Sequence, residues 1–168
     1  MTMQVDGIHH VTAIAGEPQA NVDFYTGLLG LRLVKVTVNY DDPHTYHLYY
    51  GDDRGMPGSI LTFFPWPGAS RGRPGTGQVT VTAFAIPDGS LGFWVDRLKA
   101  RRVEYTGPSR RFDEEVIALR DPDGLQLELV TRVSGSGATP RSDGAAVPGQ
   151  YAMRRVHGAT MAVEGYER

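Results

Sequence analysis

The sequence predicts an α+β fold built from a duplicated β-α-β-β-β unit, and three observations predict it. Short apolar runs separated by glycine- and proline-rich turns dominate the chain, the pattern left by many short strands. Only two stretches carry a helical apolar stripe, and each is followed by three further strand patterns. The stripes also match in sequence: Phe24, Tyr25 and Leu29 are repeated by Phe93, Trp94 and Leu98, 69 residues later.

The first unit opens with Gly7–Ala15, where alternation puts Ile8, His10, Thr12 and Ile14 on one face and His9, Val11 and Ala13 on the other. Glu17-Pro18 starts a helix, with proline early enough that its missing N–H costs nothing. Val22, Tyr25, Leu28 and Leu29 form its stripe and Gly30 ends it. Strands follow at Leu31–Tyr40, Thr45–Tyr50 and Ser59–Trp66, separated by Asp41-Asp42-Pro43 and by Gly51–Gly55. The second unit has a strand at Gln78–Ile86 and a helix capped by Ser90 with the stripe Leu91, Trp94, Val95 and Leu98. Its remaining strands are Val103–Thr106, Glu115–Leu119 and Leu125–Thr131, the last two joined by the hairpin turn Asp121-Pro122-Asp123-Gly124.

Residues 133–150 are rich in Gly, Ser, Pro and Ala without periodicity and read as a flexible linker. Beyond it, Val156, His157 and Thr160 repeat Ile8, His9 and Thr12 at an offset of 148 residues. Residues 151–168 therefore read as the first strand of another module.

Composition narrows the function. The 168 residues carry a formal net charge of −2, which gives no electrostatic case for nucleic acid or an anionic membrane. The absence of cysteine removes disulfides, thiolate metal sites and cysteine nucleophiles. No apolar run is long enough to span a bilayer and the first residues lack the pattern of a signal peptide, so the expected location is cytoplasmic. Neither glycine-containing loop matches a phosphate-cradling motif, and no G-x-S-x-G nucleophile elbow is present.

Paired βαβββ units with a histidine on the first strand resemble the vicinal-oxygen-chelate superfamily, which includes glyoxalase I, fosfomycin- and bleomycin-resistance proteins and type I extradiol dioxygenases. The resemblance covers residues 5–132, one whole module, and implies a curved mixed sheet with helices outside. The stretches GIHHVTAIAGEPQANVDFYTGLLGLRLVKVTVNYDDPHTYHLYYGD and GSILTFFPWPG look like bacterial two-module ring-cleaving dioxygenases linked to hydroquinone detoxification. Such proteins carry two modules, whereas this sequence carries one and the opening strand of another.

The resemblance implies an Fe(II) site of two imidazoles and a carboxylate, with Mn(II) as the other candidate metal, and with open positions for substrate and O2. Its ligand positions fall on His10 in the first strand, on Val81 or Thr82 in the fifth and on Glu128 in the eighth. No histidine lies between His47 and His157, so this module cannot present a complete triad alone. Family architecture builds such sites from halves of different modules. His10 then belongs to a site completed elsewhere, by a second module or by a homodimer partner. The other composite site would join Glu128 to Gly158, which stands at the position equivalent to His10, and lacks two of its three ligands.

The remaining candidates are weaker as signals. His47, alternating with Tyr46 and Leu48, has a side chain that titrates near neutrality and suits proton transfer with a bound phenol; a buried structural histidine fits it nearly as well. Tyr49, Phe64 and Trp66 are candidates for an aromatic substrate pocket or for ordinary sheet packing. His9 and His157 are expected to be structural and His44 to be solvated. Arg71, Arg73, Arg110 and Arg111 read as solubilising loop charges. The expected activity is that of an Fe(II)-dependent extradiol-type dioxygenase module acting on hydroquinone- or catechol-like aromatics, with O2 as co-substrate. The alternatives are a metal-free dimer that binds a small molecule and an inactive truncated module.

Overall fold

The computed structural model of the chain describes residues 7–132 and 146–165. The first unit contains strands β1 (His10–Ala15), β2 (Arg32–Val38), β3 (Tyr46–Gly51) and β4 (Ile60–Pro65), with helix α1 (Pro18–Val22) after β1. The second contains β5 (Gln78–Ile86), helix α2 (Leu91–Ala100), β6 (Tyr105–Arg111), β7 (Glu114–Arg120) and β8 (Gln126–Arg132); β9 (Arg155–Ala162) follows. The strands form two mixed sheets, ordered β1-β4-β3-β2 and β6-β7-β8-β5-β9. In each unit the first strand pairs parallel to the last and the hairpin neighbours pair antiparallel, so the duplication read from sequence is a duplication of topology.

Three local features depart from the sequence reading. The helix expected up to Gly30 is a short α1 continued by a π-helical turn, Asp23–Leu28, closed by the wide Leu29 N–H to Phe24 O bond of 3.0 Å. The extra residue per turn brings Tyr25, Leu28 and Leu29 all into the core. Ser90 precedes α2 without capping it; its hydroxyl donates to Pro87 O instead. Strand β6 runs to Arg111, well past Thr106. Gly107-Pro108 reads as a strand breaker, but β6 is an edge strand, where a missing N–H is tolerated, and its pairing simply shifts register between Thr106 and Ser109.

One hydrophobic core joins the two units, with Tyr25, Phe63, Phe84, Trp94, Leu127 and Leu129 all at 0–1% exposure. Burying each of these side chains contributes about 1.5–3 kcal/mol. Polar links also cross between the units. The Tyr25 hydroxyl donates to Asp121 Oδ2 at 3.0 Å, and Arg97 donates to the carbonyls of Leu28 and Gly27, both at 2.7 Å. The Arg97 bonds satisfy carbonyls that the helix end leaves orphaned.

The described end of the predicted linker is packed. Val147 is fully buried against Gly30, Tyr151 stacks on Phe93 with centroids 4.3 Å apart, and Trp94 Nε1 donates to Tyr151 O at 3.1 Å. Composition alone hid Val147, a single valine among small residues, whereas Tyr151 opens the segment read as a repeated strand; residues 133–145 lie outside the described part. From there β9 adds antiparallel to β5, with Gly158 opposite Ala83 and Thr160 opposite Val81.

Candidate functional site

Alternation assigns each strand of the first sheet one core face and one outer face. Leu48, Tyr50, Leu61 and Phe63 point into the core. His10, Thr12 and Ile14 of β1, His47 and Tyr49 of β3, and Thr62 and Phe64 of β4 share the opposite face, a grouping fixed by the registers His10↔Ile60, Thr12↔Thr62 and Tyr49↔Thr62. Thr12 and Thr62 hydrogen-bond through their hydroxyls at 2.9 Å, tying the two strands together.

His10 is exposed at the head of β1. Its Nδ1 lies 3.0 Å from Nδ1 of His9, with the rings edge-on at 5.2 Å. One of the two nitrogens must donate to the other. With His10 as donor, its Nε2 carries a lone pair, the tautomer a metal ligand needs. His9, expected to pack or bond to backbone, thus serves its neighbour's ring through its side chain, while its carbonyl accepts from Gly58 N at 2.7 Å.

His47 sits between two aromatic rings, Tyr49 at 4.1 Å and Phe64 at 4.0 Å between centroids. Its Nδ1 is 2.9 Å from the Tyr49 hydroxyl, and its Nε2 is buried without a partner. Burial lowers its pKa below the ordinary histidine value, and the nearby charges of Lys35 and His10 push the same way. The imidazole is therefore neutral at pH 7. Lys35 Nζ stands 5.4 Å from the Tyr49 ring centroid, within cation–π range.

Glu128 is elsewhere, on the second sheet in line with Ala83 and Gly158 across β8-β5-β9. Arg111 Nη1 and Nη2 donate to its two oxygens at 3.1 and 2.9 Å, a bidentate fork. Arg111 Nη2 also lies 4.0 Å from Glu114, whose Oε1 is 2.9 Å from His157 Nε2. A chain of polar contacts, Glu128–Arg111–Glu114–His157, thus runs from β8 to β9 above the small cluster Ala83, Val116 and Val130. Val81 carries no ligand atom, and Thr82 is fully buried on the opposite, core-facing side of β5. Arg111 was missed as a site residue because β6 was read as ending before it.

The predicted aromatic trio divides. Tyr49 and Phe64 border His47, whereas Trp66 stands past the end of β4, donates from Nε1 to Thr45 Oγ1 at 3.2 Å, and lines a separate cleft. Of the arginines read as solubilising, Arg71 is pinned to the β7–β8 turn, donating to Asp123 O at 2.7 Å and Pro122 O at 3.1 Å.

These positions decide whether a metal fits. Among the described residues no three His, Cys, Asp or Glu side chains gather where one ion could be held. On the outer face of the first sheet His10 is exposed and His47 is packed between Tyr49 and Phe64, and the carboxylate of the second sheet is already occupied by a guanidinium. The described residues therefore do not fit a complete metal centre.

Residues 7–129 match the Glyoxalase/Bleomycin resistance protein/Dioxygenase superfamily. The chain belongs to this superfamily. It is 54% identical over 139 residues to a Bacillus subtilis protein named "Putative ring-cleaving dioxygenase MhqO", covering 83% of this chain and 44% of that one. To the "Chlorohydroquinone/hydroquinone 1,2-dioxygenase" of Sphingobium indicum it is 34% identical over 160 residues, covering 94% and 50%. A crystal structure titled "putative dioxygenase from Bacillus subtilis" superposes with a TM-score of 0.86 at 52% identity, over 92% of this chain and 49% of that one. The chain spans about half the length of the curated relatives it matches. Among the described residues, no helix is long and apolar enough to cross a membrane.

Proposed function

We propose that this chain is the N-terminal module of a cytoplasmic, Fe(II)-dependent ring-cleaving dioxygenase for hydroquinone- or catechol-like aromatics, and that His10 supplies one of its three metal ligands. The observation that carries this reading is the pairing of β9 with β5. It builds the second sheet from the latter half of this module and a strand that repeats β1. By the same construction the first sheet, whose β1 edge has no neighbour beyond β4 among the described residues, is completed by a later repeat, since a second copy of this chain would bring only Val81 and an arginine-bound Glu128. The missing imidazole and carboxylate come from that source.

Within this reading the chain's own groups have defined work. His9 holds the His10 ring so that Nε2 faces outward. His47 is kept neutral and shares a proton with the Tyr49 hydroxyl, so a phenolic substrate can give its proton to the Tyr49 oxygen as the Tyr49 proton moves on to His47 Nδ1. Tyr49 and Phe64 provide flat apolar surface for an aromatic ring. Glu128 takes no part in metal binding; Arg111 fills the position that the absent ligands leave open.

The test is anaerobic titration with Fe(II), or with Co(II) as a spectroscopic stand-in, followed by O2 uptake on hydroquinone. Metal binding is expected to be weak in the isolated chain, to tighten when the completing module is supplied, and to disappear in His10→Ala but not in Glu128→Gln. Hydroquinone turnover that survives His10→Ala refutes the assignment.

A further inference from the structure

A cleft of about 810 Å3 opens between the end of β1, the start of β5, the β7–β8 turn and the loop over residues 66–74, at the far end of the β1 face that carries His10. Ile14 is four residues along β1 from His10, roughly 13 Å at 3.3 Å per residue. The apolar surface of the cleft comes from Trp66, Ile14 and Val79, which are 40%, 55% and 41% exposed. Side chains of this size left half uncovered in a concavity are the lining a small organic molecule needs.

The charges around it are unbalanced. Three arginines line the cleft: Arg71, Arg73 and Arg120. Arg71 and Arg120 are held on three consecutive backbone carbonyls of the β7–β8 turn, Arg71 on Pro122 O and Asp123 O and Arg120 on Gly124 O at 3.3 Å. Carbonyls orient a guanidinium without cancelling its charge. Arg73 has no side-chain partner among the described residues, and none of the three lies within ion-pair distance of a carboxylate there. Of the two aspartates in the wall, Asp121 is saturated: Oδ1 accepts from Asp123 N and Leu125 N, and Oδ2 from the Tyr25 hydroxyl. Neutral donors leave the charge of an ionised Asp121 in place, so two carboxylates at most, Asp121 and Asp123, stand against three guanidiniums.

We infer that this cleft binds an organic acid, a carboxylate attached to a flat apolar body, with the body against Trp66, Ile14 and Val79 and the carboxylate forked by the arginines. A guanidinium matches a carboxylate through two parallel N–H donors, and two of the three are already fixed in place before any ligand arrives. The inference requires neither metal nor turnover.

Benzoate is the probe, with benzyl alcohol as its neutral counterpart and acetate as the anion without a body. Trp94 is fully buried, so a change in tryptophan fluorescence reports Trp66. Benzoate is expected to give a saturable change that is absent in Trp66→Phe, to bind at least tenfold tighter than either control, and to weaken as salt is raised. The double variant Arg73→Gln/Arg120→Gln, checked by its thermal melt, is expected to lose tenfold or more in affinity. No saturable response to benzoate at tens of millimolar, equal binding of benzyl alcohol or acetate, or salt-independent binding overturns the proposal, whether or not the variants fold.

Discussion

Replacing Tyr25 by phenylalanine removes one oxygen from the centre of the molecule and tests how the two units are held together. The Tyr25 ring is fully buried beside Tyr50 and Phe63, so Phe fills the same space and the change is confined to the hydroxyl. Its partner Asp121 is 5% exposed and loses its donor on Oδ2 while keeping the two amides on Oδ1. A hydrogen bond to a charged group in such a place contributes about 1.5–3 kcal/mol. At roughly 2–4 °C per kcal/mol for a chain of this size, Tm should fall by about 3–12 °C. The pH dependence sharpens the prediction. Burial raises the Asp121 pKa above the ordinary carboxylate value, against the lowering effect of Leu125 N–H, the Tyr25 hydroxyl and Asp123 N–H. The folded state therefore holds its proton more tightly than the unfolded chain. The associated stability is complete below the unfolded pKa and is lost as pH rises through the folded one. Without the Tyr25 hydroxyl the folded pKa rises further, so more stability is lost on going from acid to neutral pH. Urea denaturation of both proteins at pH 4 and at pH 7 is the assay. A Tyr25→Phe penalty below half a kcal/mol at pH 7, or one larger at pH 4 than at pH 7, refutes the reasoning.

Gly30→Ala should destabilise the fold, because its φ is +69° and a Cβ there would lie 2.6 Å from Val147 Cγ2. Left-handed strain of about 1–2 kcal/mol adds to overpacking of about 1–3 kcal/mol. The double variant with Val147→Ala should cost less than the sum of the singles, a coupling that thermal denaturation of all four proteins would measure. For His47, an NMR titration should give a pKa below the free value of about 6.5, and Lys35→Met should raise it. Because that pKa is lowered in the folded state, its contribution to stability is present above the unfolded value and is lost as pH falls through the folded one. Arg111→Met should leave Glu128 half-buried without a counter-charge, lowering Tm by a few degrees and less so at high salt. Glu128→Gln in the same background should recover part of the loss, since the unpaired charge is then gone.

Much of this architecture could be read directly from residue order. The repeated order of one strand, one helix and three strands was legible in the sequence, and the match of Tyr25 and Leu29 with Trp94 and Leu98 marks the positions that meet in the shared core. His10 and His47 stood out as candidates by residue type and by their alternation on strands, and the structure puts both on the outer face of one sheet. The misreadings were local and share a cause. Gly107-Pro108 hid the length of β6, and with it the placement of Arg111 on the face of Glu128, because whether a strand tolerates proline depends on which edge of the sheet it occupies. The predicted linker concealed Val147, whose burial depends on the space left beside Gly30.

The chain's periodicities and turn residues determined which segments are strands and helices and which side chains share a face, since those depend on neighbours only a few positions away. Tertiary structure alone decided which faces meet. It gave Glu128 to a guanidinium, laid β9 along β5, left His10 exposed at an open edge, and gathered three arginines around one cleft. Each of these joins residues distant in sequence, and contacts of that kind are set by how sheets and loops pack, which no local pattern encodes.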